Sequence, residues 1–296
     1  MRICIFSREY NSDYNNVVKT ALDVVRKTKG QILFYENLRQ ELNENFDLPS
    51  NTVFLEKNKT LAGHADLIVS LGGDGTLLET VNLILDSGIP VMGINFGRLG
   101  FLSNIQKEDF EEALNDFVEN KHILSPRSLL QIDNSEKIFG RNIYGLNEIT
   151  IQKSDSSSMI SVKAFINGEF VNNYWADGLI LSTPTGSTAY SLSCNGPIMS
   201  PYSGDFILTP ISPHNLSTRP IVIPDNVVVE LIPDGRTNSF IFSVDSFQAN
   251  IPCGQKIIVR KAPFCLNFVR HHKDTFFSVI REKLMWGEDI RNYEKK

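Results

Sequence analysis

The sequence predicts two domains, an α/β N-terminal domain with a parallel sheet and a mainly β C-terminal domain. The first half alternates short apolar strands with amphipathic helical stretches, which is typical of a parallel sheet covered by helices. From Ser125 onward the hydrophobic pattern has a period of two, which is typical of half-buried strands. A chain of 296 residues is long enough for two hydrophobic cores. We therefore predict domains at residues 1–123 and 124–296, with the final helix packing back on the N-terminal domain.

The elements of the N-terminal domain follow from short apolar runs and one helical stripe. The apolar residues after the first strand recur at helical spacing and share one face, at Val17, Val18, Ala21, Leu22, Val24 and Val25. The glycine cluster at residues 72–75 separates a buried strand from a helix. In order, we predict strands at 2–6, 31–35, 66–71 and 90–95, and helices at 17–25, 36–43, about 76–86 and 110–117.

The C-terminal domain is predicted from alternating runs that Pro, Gly and Asp turns separate. Residues 161–168 alternate cleanly between apolar and polar side chains. Further strands are predicted at 226–232, 238–244 and 255–259. A final helix is predicted after Asp274, its predicted cap, with apolar residues at Phe276, Phe277, Val279, Ile280 and Leu284.

Composition and charge exclude several function classes. The net charge of −5 gives no basic excess for a phosphate backbone, so we expect neither a nucleic-acid nor a membrane partner. Cys4, Cys194, Cys253 and Cys265 are widely spaced, which favours neither a zinc site nor a disulfide framework. The apolar run at the start is too short for a signal peptide, and no stretch approaches the ~20 apolar residues of a membrane span. We expect a cytoplasmic protein.

The first candidate site is the turn Gly72-Gly73-Asp74-Gly75-Thr76, between a buried strand and a helix. Glycines let the backbone approach a ligand closely, and the start of the following helix favours an anion. We therefore predict a phosphate cradle formed by Gly72, Gly73, Gly75 and Thr76. A carboxylate beside phosphate repels it unless it handles a proton or a metal, so Asp74 is a candidate catalytic residue. The alternative is that Asp74 only caps the helix or closes an Asx turn.

The second candidate site is the segment from Asp177 to Tyr190, in which a strand runs into a proline turn followed by Gly186 and several hydroxyl residues. This arrangement presents several donors and one aromatic face, which suits a nucleotide. Alternatively, Thr185, Ser187 and Thr188 are ordinary turn residues and Tyr190 belongs to the core. A serine nucleophile is disfavoured because no G-x-S-x-G elbow is present.

The third candidate is the pair Asn147-Glu148, at the head of the alternating strand Ile149-Thr150-Ile151. Amide and carboxylate side chains suit ribose hydroxyls or an adenine amine. The alternative for so short a motif is a surface turn.

These motifs, with the segment from Ser212 to Pro220, occur in the order and approximate spacing of the NAD kinases. The chain resembles that family over nearly its whole length. The Gly-Gly-Asp-Gly turn is shared with diacylglycerol-type lipid kinases and phosphofructokinases, whereas the run from Thr183 to Tyr190 is far more specific. The resemblance implies an enzyme that uses ATP to phosphorylate the 2′-hydroxyl of the adenosine ribose of NAD, giving NADP.

The resemblance also implies roles for single residues. Asp74 would be the general base, and the predicted substrate-binding residues would be Gly75, Phe101, Asn147, Glu148, Asp177, Thr188, Ala189, Tyr190, Ser193 and Asp245. Two departures from the family pattern stand out. Asp245 is followed by Ser246-Phe247-Gln248 where the family usually has Asp-Gly-Gln, and Cys194-Asn195-Gly196 replaces a run of small residues.

The mechanism expected from this resemblance combines a base with charge neutralisation. A carboxylate that accepts the ribose proton supplies ~10²–10⁴-fold in rate. The phosphoryl group is strongly anionic, so we expect Mg²⁺ brought in on ATP, with no metal site made by protein residues alone. The resemblance implies a homodimer or homotetramer. The alternatives are a lipid kinase of the diacylglycerol kinase type and a non-catalytic dinucleotide sensor.

Overall fold

A computed structural model of the protein describes residues 1–57, 59–97, 100–103, 105–154, 159–236, 238–270 and 275–286. The chain forms two compact units, Met1–Pro126 with Leu266–Lys296, and Arg127–Cys265. The predicted division at 123/124 therefore lies close to the first change of unit. The predicted second domain, 124–296, needs a correction, because the chain returns to the first unit at Leu266. It does so because the strand that begins there joins the parallel sheet.

The strands and helices are numbered in chain order. The strands are β1 (Arg2–Phe6), β2 (Gln31–Tyr35), β3 (Val53–Leu55), β4 (Leu67–Leu71), β5 (Val91–Asn95), β6 (Ile105–Gln106), β7 (Ile123–Arg127), β8 (Leu130–Ile132), β9 (Tyr144–Gly145), β10 (Glu148–Lys153), β11 (Ile160–Ile166), β12 (Glu169–Ala176), β13 (Gly178–Ser182), β14 (Asp205–Ile211), β15 (Ile221–Pro224), β16 (Val229–Gly235), β17 (Ser239–Val244), β18 (Phe247–Pro252), β19 (Ile257–Lys261) and β20 (Leu266–Arg270). The helices are α1 (Asn15–Thr28), α2 (Arg39–Asn45), α3 (Asp74–Ile84), α4 (Phe110–Val118), α5 (Ser135–Phe139), α6 (Tyr190–Ser193) and α7 (Phe276–Leu284).

The first unit is built on one sheet of order β3-β2-β1-β4-β5-β20-β7, with β6 paired to β5. Strands β1 to β5 run parallel, and every residue of β4 and β5 is buried, as expected for strands covered on both faces. The predicted apolar stripe of α1 is buried in the same core. Because Leu71 pairs with Ile94, the carboxyl ends of β4 and β5 meet at one edge of the sheet. Ligands of parallel α/β sheets bind at this edge.

The second unit contains two six-stranded sheets whose described pairings are antiparallel. Their orders are β15-β14-β13-β10-β17-β18 and β12-β11-β16-β19-β8-β9, and apolar side chains from both sheets form one core. In the first sheet β10 lies between β13 and β17, with Glu148 opposite Ser182 and Ile149 opposite Val244. The start of β10 therefore lies beside the ends of both neighbours.

The predicted fold class is confirmed, with some differences in single elements. The predicted helix at 36–43 is a 3₁₀ turn over Glu36–Leu38 followed by α2. The predicted final helix is α7, which belongs to the first unit and places the Lys283 ammonium 6.0 Å from the centre of the Phe101 ring. Its cap is Thr275, in a reciprocal capping box with Ser278, whereas the predicted cap, Asp274, lies outside the described residues. Among the described helices, none is long and apolar enough to cross a membrane.

Candidate active site

The glycine turn of the first unit lies at the carboxyl end of β4. Gly72 has φ +139°, a conformation that favours glycine, and an added Cβ there would lie 2.7 Å from the Thr76 hydroxyl. Gly73 is the N-cap of α3, and both Gly73 and Gly75 are exposed. The first N–H groups of a helix have no acceptor inside it and favour an anion. The structure thus brings the four predicted phosphate-binding residues together at a helix start.

Asp74 is the first residue of α3, and its side chain binds a loop from a different part of the chain. Its Oδ2 accepts the Phe101 N–H at 3.0 Å, and its Oδ1 accepts the N–H groups of Leu102 and Ser103 at 3.1 and 3.0 Å. A Cβ added to Gly100 would lie 2.1 Å from Asp74 Oδ1, so a larger residue at position 100 would require the Asp74 carboxylate to move. Asp74 therefore has a loop-holding contact that neither sequence alternative contained. The structure does bring the Phe101 backbone to the Asp74 carboxylate.

One cation beside the glycine turn was missed by the sequence reasoning. Arg8 donates through Nη2 to the Gly75 carbonyl at 2.9 Å and through Nε to Glu79 at 2.7 Å. It follows β1, a central strand of the same parallel sheet. The carboxyl ends of parallel strands lie at one edge, so the position of Arg8 just after a predicted strand was the available signal.

The turn Leu146–Glu148 of the second unit is held by the Asp245 carboxylate. Asp245 Oδ2 accepts the Leu146 N–H at 2.7 Å, and its Oδ1 accepts the N–H groups of Asn147 and Glu148 at 2.9 and 3.0 Å. Asp245 has φ +48°, in the left-handed region that Asp and Asn tolerate better than most residues. The structure thus brings together the predicted residues Asn147, Glu148 and Asp245, and the surface-turn alternative does not describe Asn147-Glu148.

The electrostatics of this turn favour a protonated glutamate. Burial, and then the nearby Asp245 carboxylate, raise the pKa of Glu148 to about 8, against a smaller lowering by the Tyr190 N–H. Burial also raises the pKa of Asp245 to about 6, although the three backbone donors act in the opposite direction. Within the described part of the chain, Glu148 Oε2 is buried and has no hydrogen-bond partner. A buried oxygen of this kind is suited to a polar group of a ligand.

A cleft of about 170 Å³ opens over this turn. Three predicted site residues line it, together with four polar residues that the sequence reasoning did not select. The lining residues are Glu148, Thr150, Gln152, Tyr190, Ser243, Asp245 and Gln248. The missed signal was the alternation of β10: Ile149 and Ile151 are buried in the core, so the residues between them share the opposite face.

Tyr190 and Asp177 both contact β10, the strand that contributes Glu148, Thr150 and Gln152 to the cleft. The Tyr190 side chain is 37% exposed and hydrogen-bonds with Gln152, so Tyr190 does not belong to the core. Burial is the largest of the causes that raise the Tyr190 pKa, and the charge of Asp177 adds to it. Asp177 forms an ion pair with Lys153 at 2.6 Å. The Tyr190 ring and the Asp177 carboxylate therefore lie near one another.

The remaining predicted residues lie in the turn around α6. The Thr188 hydroxyl donates to the Thr185 carbonyl at 3.3 Å, the Ala189 N–H donates to Gly186, and Ser193 is exposed at the end of the helix. Cys194 follows α6, and its thiol pKa is raised by burial and then by Glu148. Among the described residues, no three side chains of His, Cys, Asp or Glu converge to hold a metal ion.

The two halves of the chain match two family models. The ATP-NAD kinase N-terminal domain matches residues 14–123, and the ATP-NAD kinase C-terminal domain matches residues 146–271. The NAD kinase of Flavobacterium psychrophilum is 39% identical over 294 residues, covering 99% of this chain and 100% of the relative. That of Cytophaga hutchinsonii is 42% identical over 294 residues, with the same coverage. The chain belongs to the NAD kinase family.

Two solved structures share the fold of this chain. The yeast NADH kinase complexed with NADH has a TM-score of 0.87 at 24% identity, covering 98% of this chain and 89% of that one. An NAD kinase from Archaeoglobus fulgidus in complex with ATP has a TM-score of 0.72 at 24% identity, covering 97% and 98%. The predicted resemblance is confirmed. A lipid kinase and a dinucleotide sensor are not favoured, because the NAD kinase match extends over both halves of the chain.

Proposed function

We propose that this chain transfers the γ-phosphoryl group of ATP to the 2′-hydroxyl of the adenosine ribose of NAD, giving NADP and ADP. The observation that carries the proposal is the match to NAD kinases along nearly the whole of both chains, at 39% and 42% identity. The glycine turn and the polar cleft supply the two kinds of site that such a reaction needs, one for phosphate and one for a nucleoside.

The phosphate end of the reaction is assigned to the turn from Gly72 to Thr76. The helix start at Asp74 offers backbone N–H groups, and the exposed glycines allow close approach. Arg8 contributes positive charge beside Gly75. Together these groups stabilise the anionic phosphoryl group during transfer.

Asp74 is proposed as the general base. An ionised carboxylate has about four lone-pair sites, and the loop at 101–103 uses three of them. The remaining site lies on Oδ2, which accepts only the Phe101 N–H. That oxygen is free to accept the ribose proton as the new phosphorus–oxygen bond forms, while the loop fixes its direction.

The nucleoside ends are assigned to the second unit. The buried Oε2 of Glu148 and the side chain of Asn147 suit ribose hydroxyls or an adenine amine, and the Tyr190 ring offers an aromatic face. In the second unit the proposed contacts also include Asp177, Thr188, Ala189 and Ser193. In the first unit they are Gly75 and Phe101.

We propose that Mg²⁺ enters as part of the donor, MgATP. The support for this proposal is chemical: Mg²⁺ is commonly bound through substrate phosphates together with few protein carboxylates. The ion would neutralise phosphate charge when bound. The protein steps above rest on its own residues alone.

The active form is proposed to be a homodimer or homotetramer. The edge strand β15 exposes Ile221 and Val222, at 40% and 46%, and nearby Leu216 is 89% exposed. Exposed apolar side chains on an open sheet edge favour pairing with another chain.

The four cysteines are free thiols, which supports a reducing compartment such as the cytoplasm.

The test incubates the purified protein with NAD, ATP and Mg²⁺ and measures NADP with an NADP-specific dehydrogenase. We expect NADP to accumulate with time and enzyme concentration, and diacylglycerol to give no phosphorylated product. Absence of NADP with several phosphoryl donors and divalent ions would refute the proposal. Binding of NAD without turnover would instead support the sensor alternative.

A further inference from the structure

The turn Leu146–Glu148 has three N–H and three carbonyl groups, and two residues satisfy all six. The Asp245 carboxylate accepts the three N–H groups, as described above. The Asp245 N–H also donates to the Glu148 carbonyl at 3.0 Å. Asp245 therefore binds the turn both as a hydrogen-bond donor, through its N–H, and as an acceptor, through its carboxylate.

Thr183 supplies the two remaining bonds from the opposite side. Its hydroxyl donates to the Leu146 carbonyl at 2.5 Å, and its N–H donates to the Asn147 carbonyl at 2.9 Å. The same hydroxyl accepts the Gly186 N–H at 3.1 Å, which ties it to the following turn. An added Cβ at Gly186 would lie 2.1 Å from the Asn147 carbonyl oxygen, so the two turns pack backbone against backbone.

The sheet explains why these two residues carry the contact. Thr183 follows β13 and Asp245 follows β17, and β10, which starts at Glu148, lies between those strands. The two residues therefore flank the turn that precedes β10. Thr183 is fully buried, and the Asp245 carboxylate uses three of its about four lone-pair sites on backbone N–H groups. Most of the hydrogen bonds described for these two residues therefore go to the turn.

We propose that Thr183 and Asp245, which we call the clamp, are positioning residues. They lock the backbone of Asn147 and Glu148 and affect NAD binding through the side chains of Asn147 and Glu148. This inference rests on the proposed function only for its ligand. A locked backbone matters because Glu148 Oε2 is buried and has no hydrogen-bond partner among the residues that the structure describes. A small displacement of the turn therefore changes what that oxygen reaches.

A matched pair of substitutions at Thr183 tests the clamp. Thr183→Val keeps the shape but leaves the Leu146 carbonyl without its hydroxyl donor, whereas Thr183→Ser keeps the hydroxyl. We expect Thr183→Val to raise KM for NAD about tenfold with kcat nearly unchanged, and Thr183→Ser to stay within about threefold of the native KM. A merely structural role would lower the active fraction and leave KM unchanged, and that result would overturn the proposal.

Asp245→Asn tests the other side and preserves the left-handed backbone. Its amide nitrogen cannot accept an N–H group, so at least one bond to the turn is lost. Asp225→Asn is the control. Asp225 is a buried residue of the same unit, and its carboxylate forms a 2.6 Å ion pair with Lys261. We expect the KM for NAD to rise in Asp245→Asn and to stay native in Asp225→Asn.

A double-substitution background separates positioning from direct contact. In Asn147→Ala/Glu148→Ala protein the two side chains that the clamp positions are gone. There we expect Thr183→Val and Asp245→Asn to change the remaining NAD affinity less than twofold. The same factor in both backgrounds would show direct contact with the ligand and refute the inference.

Hydrogen exchange of the nucleotide-free protein supplies a readout that needs no activity. Thr183→Val and Asp245→Asn should each speed amide exchange in the peptide that contains residues 146–148, and Asp225→Asn should leave it at the native rate. If native protein neither binds nor phosphorylates NAD, the proposed function fails while the exchange result still tests the clamp. Unchanged exchange in both variants would overturn the clamp even in an active enzyme.

Discussion

Two regions of this protein use the same hydrogen-bond pattern for different ends. Asp74 in the first unit accepts the N–H groups of three successive residues, 101–103, and Asp245 in the second unit accepts those of 146–148. Each region also has a tightly packed glycine: a Cβ added to Gly100 would lie 2.1 Å from Asp74 Oδ1, and one added to Gly186 would lie 2.1 Å from the Asn147 carbonyl oxygen. A carboxylate that binds three consecutive N–H groups fixes a loop at the cost of most of its own acceptor capacity.

The surroundings of the two carboxylates differ. Asp74 begins an 11-residue helix, and the N-terminus of a helix favours negative charge. Asp245 lies between two strands and faces Glu148, whose pKa rises to about 8 through burial and then through Asp245 itself. Backbone contacts alone therefore do not define the role of a carboxylate. The helix end suits a charged base, and the buried pair suits a structural clamp beside a neutral acid.

The largest expected effect concerns Asp74. In Asp74→Asn the side chain keeps its shape but cannot accept a proton, so we expect kcat to fall ~10²-fold or more while NAD still binds. Steady-state kinetics and an NAD binding titration measure both quantities.

Thermal unfolding is the control, because the amide must also replace a contact to the loop at 101–103. Turnover within about threefold of the native value, under ~1 kcal/mol of barrier, would assign Asp74 to loop holding alone and remove the difference between the two regions.

The paired glycines give the next effect. In Gly186→Ala the new Cβ meets the Asn147 backbone, so we expect a loss of ~1–3 kcal/mol in the free energy of unfolding and a higher KM for NAD. In Gly100→Ala the three atoms nearest to the new Cβ all belong to the Asp74 side chain, so kcat should fall with a smaller loss of stability. Urea unfolding and kinetics measure both, with Gly204→Ala as control, since its Cβ would have its nearest contact at 4.0 Å. An equal loss of unfolding free energy in Gly186→Ala and Gly100→Ala would contradict the distinction between a backbone and a side-chain clash.

A pH series tests the charge state of the second region. The Glu148 pKa of about 8 lies above its ordinary 4.5, so between these values the folded protein holds a proton that the unfolded chain releases. Stability is therefore lost as the pH rises through this window, by at most ~1.4 kcal/mol per pH unit. We expect the urea midpoint to fall from pH 6 to pH 8 and Glu148→Gln to flatten that slope. Glu169→Gln, at an exposed glutamate, is the control, and an unchanged slope in Glu148→Gln would refute the assignment.

The smallest expected effect concerns whether one chain contains the complete nucleotide site of the second unit. If a neighbouring chain completes the nucleotide site, specific activity should fall on dilution through the dissociation range, and added NAD should hold the oligomer together by mass action. Light scattering and an activity titration measure this. A monomer with full specific activity at every concentration would show that each chain has its own complete site.

Local sequence patterns predicted the framework of both regions. The mainly apolar run before Gly72 and the alternation from Glu148 to Gln152 are short-range signals, and each corresponds to a strand in the structure. The pairing of Leu266–Arg270 with the parallel sheet was missed, because the partner of a short strand is set by packing against residues far along the chain. The cleft residues Thr150 and Ser243 were missed for a related reason: only the pairing of β10 with β17 places them opposite one another.

The sequence by itself determined the fold class, the glycine turn between a strand and a helix, and membership of the NAD kinase family. The tertiary structure decided what the carboxylates do. Asp74 binds N–H groups 27 to 29 residues away, and Asp245 binds groups 97 to 99 residues away. A backbone N–H is the same in nearly every residue, so no side-chain pattern marks it as the partner of a particular carboxylate. The raised pKa of Glu148 likewise comes from burial and from Asp245, both of which exist only after the strands have paired.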